Sequence, residues 1–268
     1  MLLASDMDGT VIPLDSSPSR AEEIKALKYF VKSHQTIKLA YVTGRDFDLA
    51  LQGIEQYDLP YPNFIVGDVG SSIYEYTANQ WEISQLYRNT LGNLWGNLSA
   101  SDILNCLCSI DSLTPQEPNH QSEFKASYYC PVEVLDHGLI KVIETQLAEF
   151  GLQASIITSI DSIKNCGLID ILPPNVSKEY ALRFLQNYLS LSSEKVVFAG
   201  DSGNDLAAFL SGYQAIVVSN TPQSVKETVK SIAEQNGYLD KIFFASEPFA
   251  AGVLEGLEYF SNKNANIS

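Results

Sequence analysis

Cations are scarce in this chain. Its 17 Lys and Arg stand against 32 Asp and Glu, for a formal net charge of −15. That balance argues against a nucleic-acid partner, because phosphate backbones are bound through Lys and Arg, and it disfavours docking on anionic membranes. Cysteine is sparse as well: Cys106, Cys108, Cys130 and Cys166 are all there are. Cys106 and Cys108 form a C-x-C pair with no second pair at zinc-ligand spacing, so the four read as buried free thiols of a reducing compartment. No apolar run approaches the ~20 residues of a membrane span. The N-terminal apolar stretch is too short for a signal peptide and carries no positive charge ahead of it. Low-complexity stretches and internal repeats are absent too. These absences lead to the expectation of a soluble, cytoplasmic protein. What is present, 45% hydrophobic and 18% charged residues in a chain of 268, suffices for a large core in one big domain or two modest ones.

Hydrophobic patterning divides the chain in three. The first part alternates strand and helix: strands at 2–5, 37–42 and 63–66, helices at 20–33 and 47–56, and a β-segment over 71–76. Ser17-Pro18-Ser19 is a capping signal for the first helix. The last part alternates again, with strands at 168–172, 195–199 and 215–218 and helices at 177–189, 205–212, 222–234 and 252–260. Alternation of this kind points to right-handed βαβ units and a parallel sheet. Between them, 79–166 holds both Trp, the polar loop 114–122, an alternating strand at 125–129, a helix at 132–150, a strand at 153–158 and a segment near 162–167. The expected fold is α/β, a Rossmann-like parallel-sheet core of 1–78 and 167–268 with an inserted α+β cap of 79–166. Hinges between the two are expected near 77–82 and 164–169, with a cleft between core and cap.

Two acidic clusters carry the chemistry. Leu2-Leu3-Ala4-Ser5 ends in Asp6-Met7-Asp8-Gly9-Thr10, and Val196-Val197-Phe198-Ala199 ends in Gly200-Asp201-Ser202-Gly203-Asn204-Asp205. In open α/β sheets, ligands bind beyond the carboxyl ends of the strands. Carboxylates spaced i, i+2 there repel each other, and a hard divalent cation is their natural partner. Gly9 permits the bend that lets both face one site. Two such clusters converging on Mg²⁺ form the constellation of a phosphoryl-transfer enzyme with an aspartate nucleophile.

The ordered set Asp6-x-Asp8-Gly9-Thr10, then strand-Thr43-Gly44-Arg45, then Lys178 at a helix start, then Gly200-Asp201-x-Gly203-Asn204-Asp205 resembles the haloacid dehalogenase (HAD) superfamily of phosphohydrolases. The resemblance implies Asp6 as nucleophile, Asp8 as general acid and base, Thr43 as a phosphoryl ligand and Lys178 as the cation that neutralises charge on the transferring group. Mg²⁺ would be held by Asp6, Asp201 and the backbone carbonyl of Asp8, with Asn204 and Asp205 in support. A simpler role for Thr43, capping the helix that follows, is compatible with phosphate binding.

The insert between Thr43 and Lys178 suggests the α+β cap of the sugar-phosphate phosphatases. Several stretches are similar to the sucrose-phosphate phosphatase group, among them Val69-Gly70-Ser71-Ser72-Ile73-Tyr74, Phe124-Lys125-Ala126-Ser127-Tyr128-Tyr129 and Phe249-Ala250-Ala251-Gly252-Val253-Leu254-Glu255-Gly256. The expected substrate is sucrose 6-phosphate or a related disaccharide phosphate. Candidate substrate contacts are Gly44, Arg45, Asp46, Asp68, Lys125, Tyr128 and Tyr129. Arg45 and Asp46 could instead pair with each other, and either tyrosine could be a half-buried sheet residue. A sugar-phosphate synthase is the macromolecular partner such a domain would have. The alternatives are a broad hexose-phosphate phosphatase, a phosphomutase, or a catalytically silent regulatory module.

Overall fold

The computed structural model describes residues 1–13, 19–96, 98–135, 137–161 and 164–265. Ser17 and Pro18 of the expected capping signal lie outside the described residues, as do the first two residues of the segment expected near 162–167. The chain opens with β1 (Leu2–Ser5), α1 (Ser19–Ser33), β2 (Lys38–Val42), α2 (Phe47–Gln56), β3 (Phe64–Gly67), β4 (Ser72–Thr77) and β5 (Gln80–Ile83). The middle supplies α3 (Gln85–Trp95), α4 (Ala100–Cys106), β6 (Thr114–Pro115), β7 (Ala126–Cys130), α5 (His137–Glu149), β8 (Ser155–Asp161) and β9 (Cys166–Leu172). It closes with α6 (Lys178–Tyr188), β10 (Val196–Gly200), α7 (Leu206–Phe209), β11 (Gln214–Val217), α8 (Gln223–Gln235), β12 (Ile242–Phe244) and α9 (Phe249–Ala265).

Among the described residues, eight strands form the main sheet in the order β12-β11-β10-β1-β2-β3-β4-β5. Neighbours from β12 to β3 run parallel, whereas β4 and β5 are antiparallel additions at one edge. Strand β1 is at the centre and fully buried, which is why it reads as an unbroken apolar run. Successive side chains point to opposite faces: Leu2 and Ala4 join the apolar cluster that takes in Leu182, Leu185 and Phe209, while Leu3 joins the one that takes in Leu27, Leu257 and Phe260. A Rossmann-like parallel core is therefore observed, and the acidic clusters hang from the carboxyl ends of its adjacent strands β1 and β10. No helix among the described residues is long and apolar enough to cross a membrane.

The insert is an α+β unit, but its borders differ from the expected ones. Residue 78 sits in the tight β4–β5 turn, where Ala78 and Asn79 both take positive φ, so the core sheet continues through Ile83. Strand β9, expected in the core, pairs on both sides within a second sheet of order β6-β7-β9-β8. Its apolar run fits a buried strand of either sheet, and only strand pairing decides between them. The cap thus extends to about 84–172, and the expected hinge segments fall inside a hairpin and a strand. The crossovers lie instead around Ser84 and between Pro173 and Ser177. The helix expected at 132–150 is a short 3₁₀ turn at Val132–Val134 followed by α5.

Candidate active site

The turn after β1 brings both expected carboxylates to the cleft, Asp6 in its floor and Asp8 at its mouth. Asp6 is buried, with its Oδ1 accepting from the backbone N–H of Met7 at 2.8 Å and its own N–H donating to the Ala199 carbonyl at 2.9 Å. Gly9 has φ +76°, and a Cβ there would stand 2.3 Å from Asp201 Oδ2, so only glycine lets the first turn close against the second cluster. Thr10 donates to Asp201 Oδ1 at 2.9 Å, and the Asn220 side-chain amide donates to the Gly9 carbonyl at 2.8 Å.

Lys178, in the first turn of α6, is the electrostatic hub. Its helix starts there because the Ser177 hydroxyl accepts from the Tyr180 N–H at 3.2 Å. The ammonium lies 3.0 Å from Asp6 Oδ2 and 2.8 Å from Asp205 Oδ1, and it donates to Asn204 Oδ1 at 3.3 Å. Burial alone would lower the lysine's pKa, but Asp205 and Asp6 outweigh it and keep the group charged. Asp6 is pushed well above the ordinary carboxylate range, first by burial, with Lys178 opposing and Asp205 and Asp201 adding repulsion. Burial and Asp205 likewise push Asp201 up to about 6, against the Thr10 hydrogen bond.

One ligand oxygen from each of Asp6, Asp201 and Asp205 lies within 4.8 Å of the others. Three buried carboxylates around a single ammonium leave uncompensated negative charge. An all-oxygen donor set of that kind fits a hard divalent cation. Asp205 is less free than the other two: its Oδ2 accepts from the N–H groups of Asp201 and Ser202, each at 3.1 Å. Its Oδ1 meanwhile pairs with Lys178, which also donates to Asn204.

Asp8 is turned elsewhere. Its two oxygens accept from Arg45 Nε at 2.8 Å and Nη2 at 2.6 Å, a two-point clamp that leaves the carboxylate at the mouth of the cleft. Arg45 therefore pairs with Asp8, not with Asp46. Asp46 caps α2 by accepting from the Leu49 N–H at 2.8 Å, and it is not among the residues that line the cleft. Thr43 is buried at the carboxyl end of β2 and lines the cleft beside Gly44.

The cleft between core and cap has a volume of about 310 Å³. Asp6, Asp8, Thr43 and Asn204 line its core wall, and Lys125, Tyr129, Gln116, His120, Lys164 and Asp170 line its cap wall. Tyr129 is held there by donating to Glu117 at 2.8 Å, with the Lys164 ammonium 2.9 Å from the same hydroxyl. Tyr128, the next residue on β7, points the other way into the cap core, where its hydroxyl meets the Ile103 carbonyl at 3.4 Å; strand alternation removes it from the site. Asp68 does not line this cleft: it forms a buried ion pair with Lys125 at 3.2 Å. Sequence reasoning assigned no role to Thr10, Asn220, Gln116, His120, Lys164 or Asp170. Thr10 had a signal in the Asp-Gly-Thr run, whereas the cap residues have none without the fold.

The family model for sucrose-6F-phosphate phosphohydrolase matches residues 1–261. The chain belongs to that family. Its members are phosphoric monoester hydrolases of the HAD superfamily, and the family's theme is hydrolysis of sugar phosphates. A protein of Nitrosococcus oceani described only as a HAD-like hydrolase is 36% identical over 266 residues, which cover 97% of this chain and 71% of that one. The mannosylfructose-phosphate phosphatase of Agrobacterium fabrum is 28% identical over 260 residues, 97% of this chain and 96% of that one. The fold matches a sucrose-phosphatase structure from Synechocystis with a TM-score of 0.78 at 24% identity, covering 97% of this chain and 98% of that one.

Proposed function

We propose that this chain is a Mg²⁺-dependent phosphatase that hydrolyses a disaccharide phosphate, sucrose 6-phosphate or a close chemical relative, through an aspartyl-phosphate on Asp6. The observation that carries the reading is the cleft itself, with nucleophile and proton carrier on one wall, the charge-neutralising lysine buried directly behind the nucleophile, and a polar cap on the other wall. Bound at Asp6 and Asp201, Mg²⁺ would neutralise the buried carboxylates and draw charge from the phosphoryl oxygens. The Asp6 carboxylate attacks phosphorus while the ester P–O bond breaks, and Asp8 donates a proton to the leaving sugar oxygen. In the second step Asp8 takes a proton from water as it attacks the acyl phosphate, and Asp6 leaves. Thr43 holds a phosphoryl oxygen, and Lys178 offsets the charge that builds up on Asp6 and the transferring group. For Asp8 to serve, its carboxylate must turn from Arg45 toward the leaving oxygen.

The cap wall suits a neutral, hydroxyl-rich substrate. Buried sugar hydroxyls need partners, and a wall of Gln116, His120, Tyr129 and Asp170 offers both donors and acceptors, so that the wrong epimer leaves groups unpaired. The likeness to a mannosylfructose-phosphate phosphatase supports a fructose-containing disaccharide phosphate. A synthase that forms the phosphate ester is the partner this reading expects.

The test is phosphate release, with Mg²⁺, from sucrose 6-phosphate, mannosylfructose phosphate, trehalose 6-phosphate and hexose phosphates. A preference of at least roughly 10²-fold for one disaccharide phosphate is expected, since a site matched to substrate hydroxyls can discriminate by up to about 10⁴–10⁵. Flat activity would replace the reading with a broad hexose-phosphate phosphatase, and transfer to a second sugar hydroxyl with a mutase. Asp6→Asn should abolish turnover in a folded protein; full activity in that variant would sink the mechanism.

A further inference from the structure

The turn after β3 does something no motif announces. Asp68, Val69 and Gly70 have φ of +53°, +59° and +103° in succession. A β-branched residue at positive φ is a genuine outlier, and such strain persists only where surrounding contacts over-determine it. Here those contacts come from both domains. On the core side, the Asp68 N–H donates to the Arg45 carbonyl at 2.8 Å and the Val69 N–H to the Thr43 carbonyl at 3.1 Å. A Cβ on Gly70 would lie 2.2 Å from the Ser177 carbonyl oxygen, so the turn also abuts the residue before Lys178. From the cap side, Tyr87 of α3 donates its hydroxyl to the Gly70 carbonyl at 2.6 Å. The Lys125 ammonium, at the start of β7, reaches Asp68 at 3.2 Å with both side chains almost wholly buried.

Three residues thus touch the loop of Thr43, the start of the Lys178 helix and two separate parts of the cap. We infer that the Asp68–Gly70 turn is the anchor that registers the cap against the catalytic loops, with Lys125 acting as a positioning residue through Asp68 and not as a ligand of the sugar. The inference rests on the phosphatase reading only for its kinetic arm. The Lys125 stem lines the cleft while its charge is committed to Asp68. Losing the ion pair would free the cap loop 122–127 and blur the placement of a substrate that reaches the cap.

The experiment compares Asp68→Asn, Lys125→Met and the neutral double variant Asp68→Asn/Lys125→Gln, which leaves no buried charge unpaired should a single variant fail to fold. Native-state hydrogen exchange is the first readout. Amides of 122–127 should exchange about tenfold faster or more in every variant, with no change in α5, because local opening is decoupled from global unfolding. The second readout is the preference for a disaccharide phosphate over p-nitrophenyl phosphate, which is too small to reach the cap wall. It should fall about tenfold in each variant through a raised KM, and the double variant should be no worse than the singles, as for residues acting as one unit. A fall in Lys125→Met with no change in Asp68→Asn would overturn the inference, since Lys125 would then contact the substrate directly. Equal acceleration of exchange in 122–127 and α5 would overturn it too, as plain destabilisation. A wild-type chain that hydrolyses no phosphate ester would defeat the phosphatase reading alone, and exchange would still decide the anchor.

Discussion

Replacing Gly70 with alanine should damage catalysis from a position that touches no substrate. The residue has φ +103°, and an added Cβ would stand 2.2 Å from the Ser177 carbonyl oxygen and 2.8 Å from the Lys178 backbone nitrogen. Those are backbone atoms at a helix start, so relief requires moving the helix by about an ångström rather than a rotamer change. Backbone strain and overpacking together cost about 2–6 kcal/mol. In a chain of this size that lowers the melting temperature by roughly 5–20 °C. The same shift carries the Lys178 ammonium away from its 3.0 Å contact with Asp6. A misplacement of about an ångström in a catalytic group is worth roughly 10²-fold in rate. Gly96→Ala is the matched control: Gly96 has φ +61° with no atom within 4 Å of a Cβ, so it incurs only the left-handed penalty of about 1–2 kcal/mol. Melting curves and phosphate release with Mg²⁺ on both variants decide the matter. If Gly70→Ala melts no lower than Gly96→Ala, or keeps wild-type kcat, the tight seating of the turn against the Lys178 helix is wrong.

Other outcomes follow from the same site. Lys178→Met should leave three buried carboxylates uncompensated and lower stability by about 3–5 kcal/mol in chelator, with Mg²⁺ at a hundred times its Kd returning about 2.7 kcal/mol in a thermal melt. Asp201, at about 6 when folded, lies above its ordinary 3.8, so the native chain holds that proton more tightly than the unfolded one. Burying its ionised form therefore destabilises the metal-free protein above pH 6, and this penalty disappears as pH falls through 6 toward 4. In chelator, Asp201→Asn should be the more stable protein at pH 7.5, by about 3 kcal/mol, and lose that advantage near pH 4; a pH-independent difference in denaturant midpoint would refute this. Gly53→Ala should fail to give the usual helix gain of about 0.5–1 kcal/mol, because its Cβ would meet Arg45 Nη1 at 2.8 Å; a faster enzyme with a higher melting temperature would show that the Arg45–Asp8 clamp tolerates the methyl.

Much of the core was legible because its signals are local. The strand ends at Ser5 and Gly200 are apolar runs cut by acidic turns, and β1 and β10 lie side by side in parallel register, bringing Asp6 and Asp201 together as expected. Helix α6 opens at Ser177 because a serine hydroxyl caps it, which is readable three residues at a time. The cap was harder. Strand β9 carries an apolar pattern that suits either sheet, and nothing local says that its partners are β7 and β8. Tyr128 and Tyr129 are adjacent and alike in type, yet one is in the cap core and the other in the cleft, because a strand's two faces are told apart only by what covers them.

By itself the sequence determined the reaction class: the order and residue types of Asp6, Asp8, Thr43, Lys178 and Asp201 carry it, since each sits where a strand ends or a helix begins. Tertiary structure alone decided the pairings that tune those groups, namely Arg45 with Asp8, Lys178 with both Asp6 and Asp205, and Lys125 with Asp68. The reason is range. Chain-local rules reach a few residues, whereas these partners are 27 to 172 residues apart, and for the Lys178 and Lys125 pairs burial strengthens the interaction that only the fold brings about.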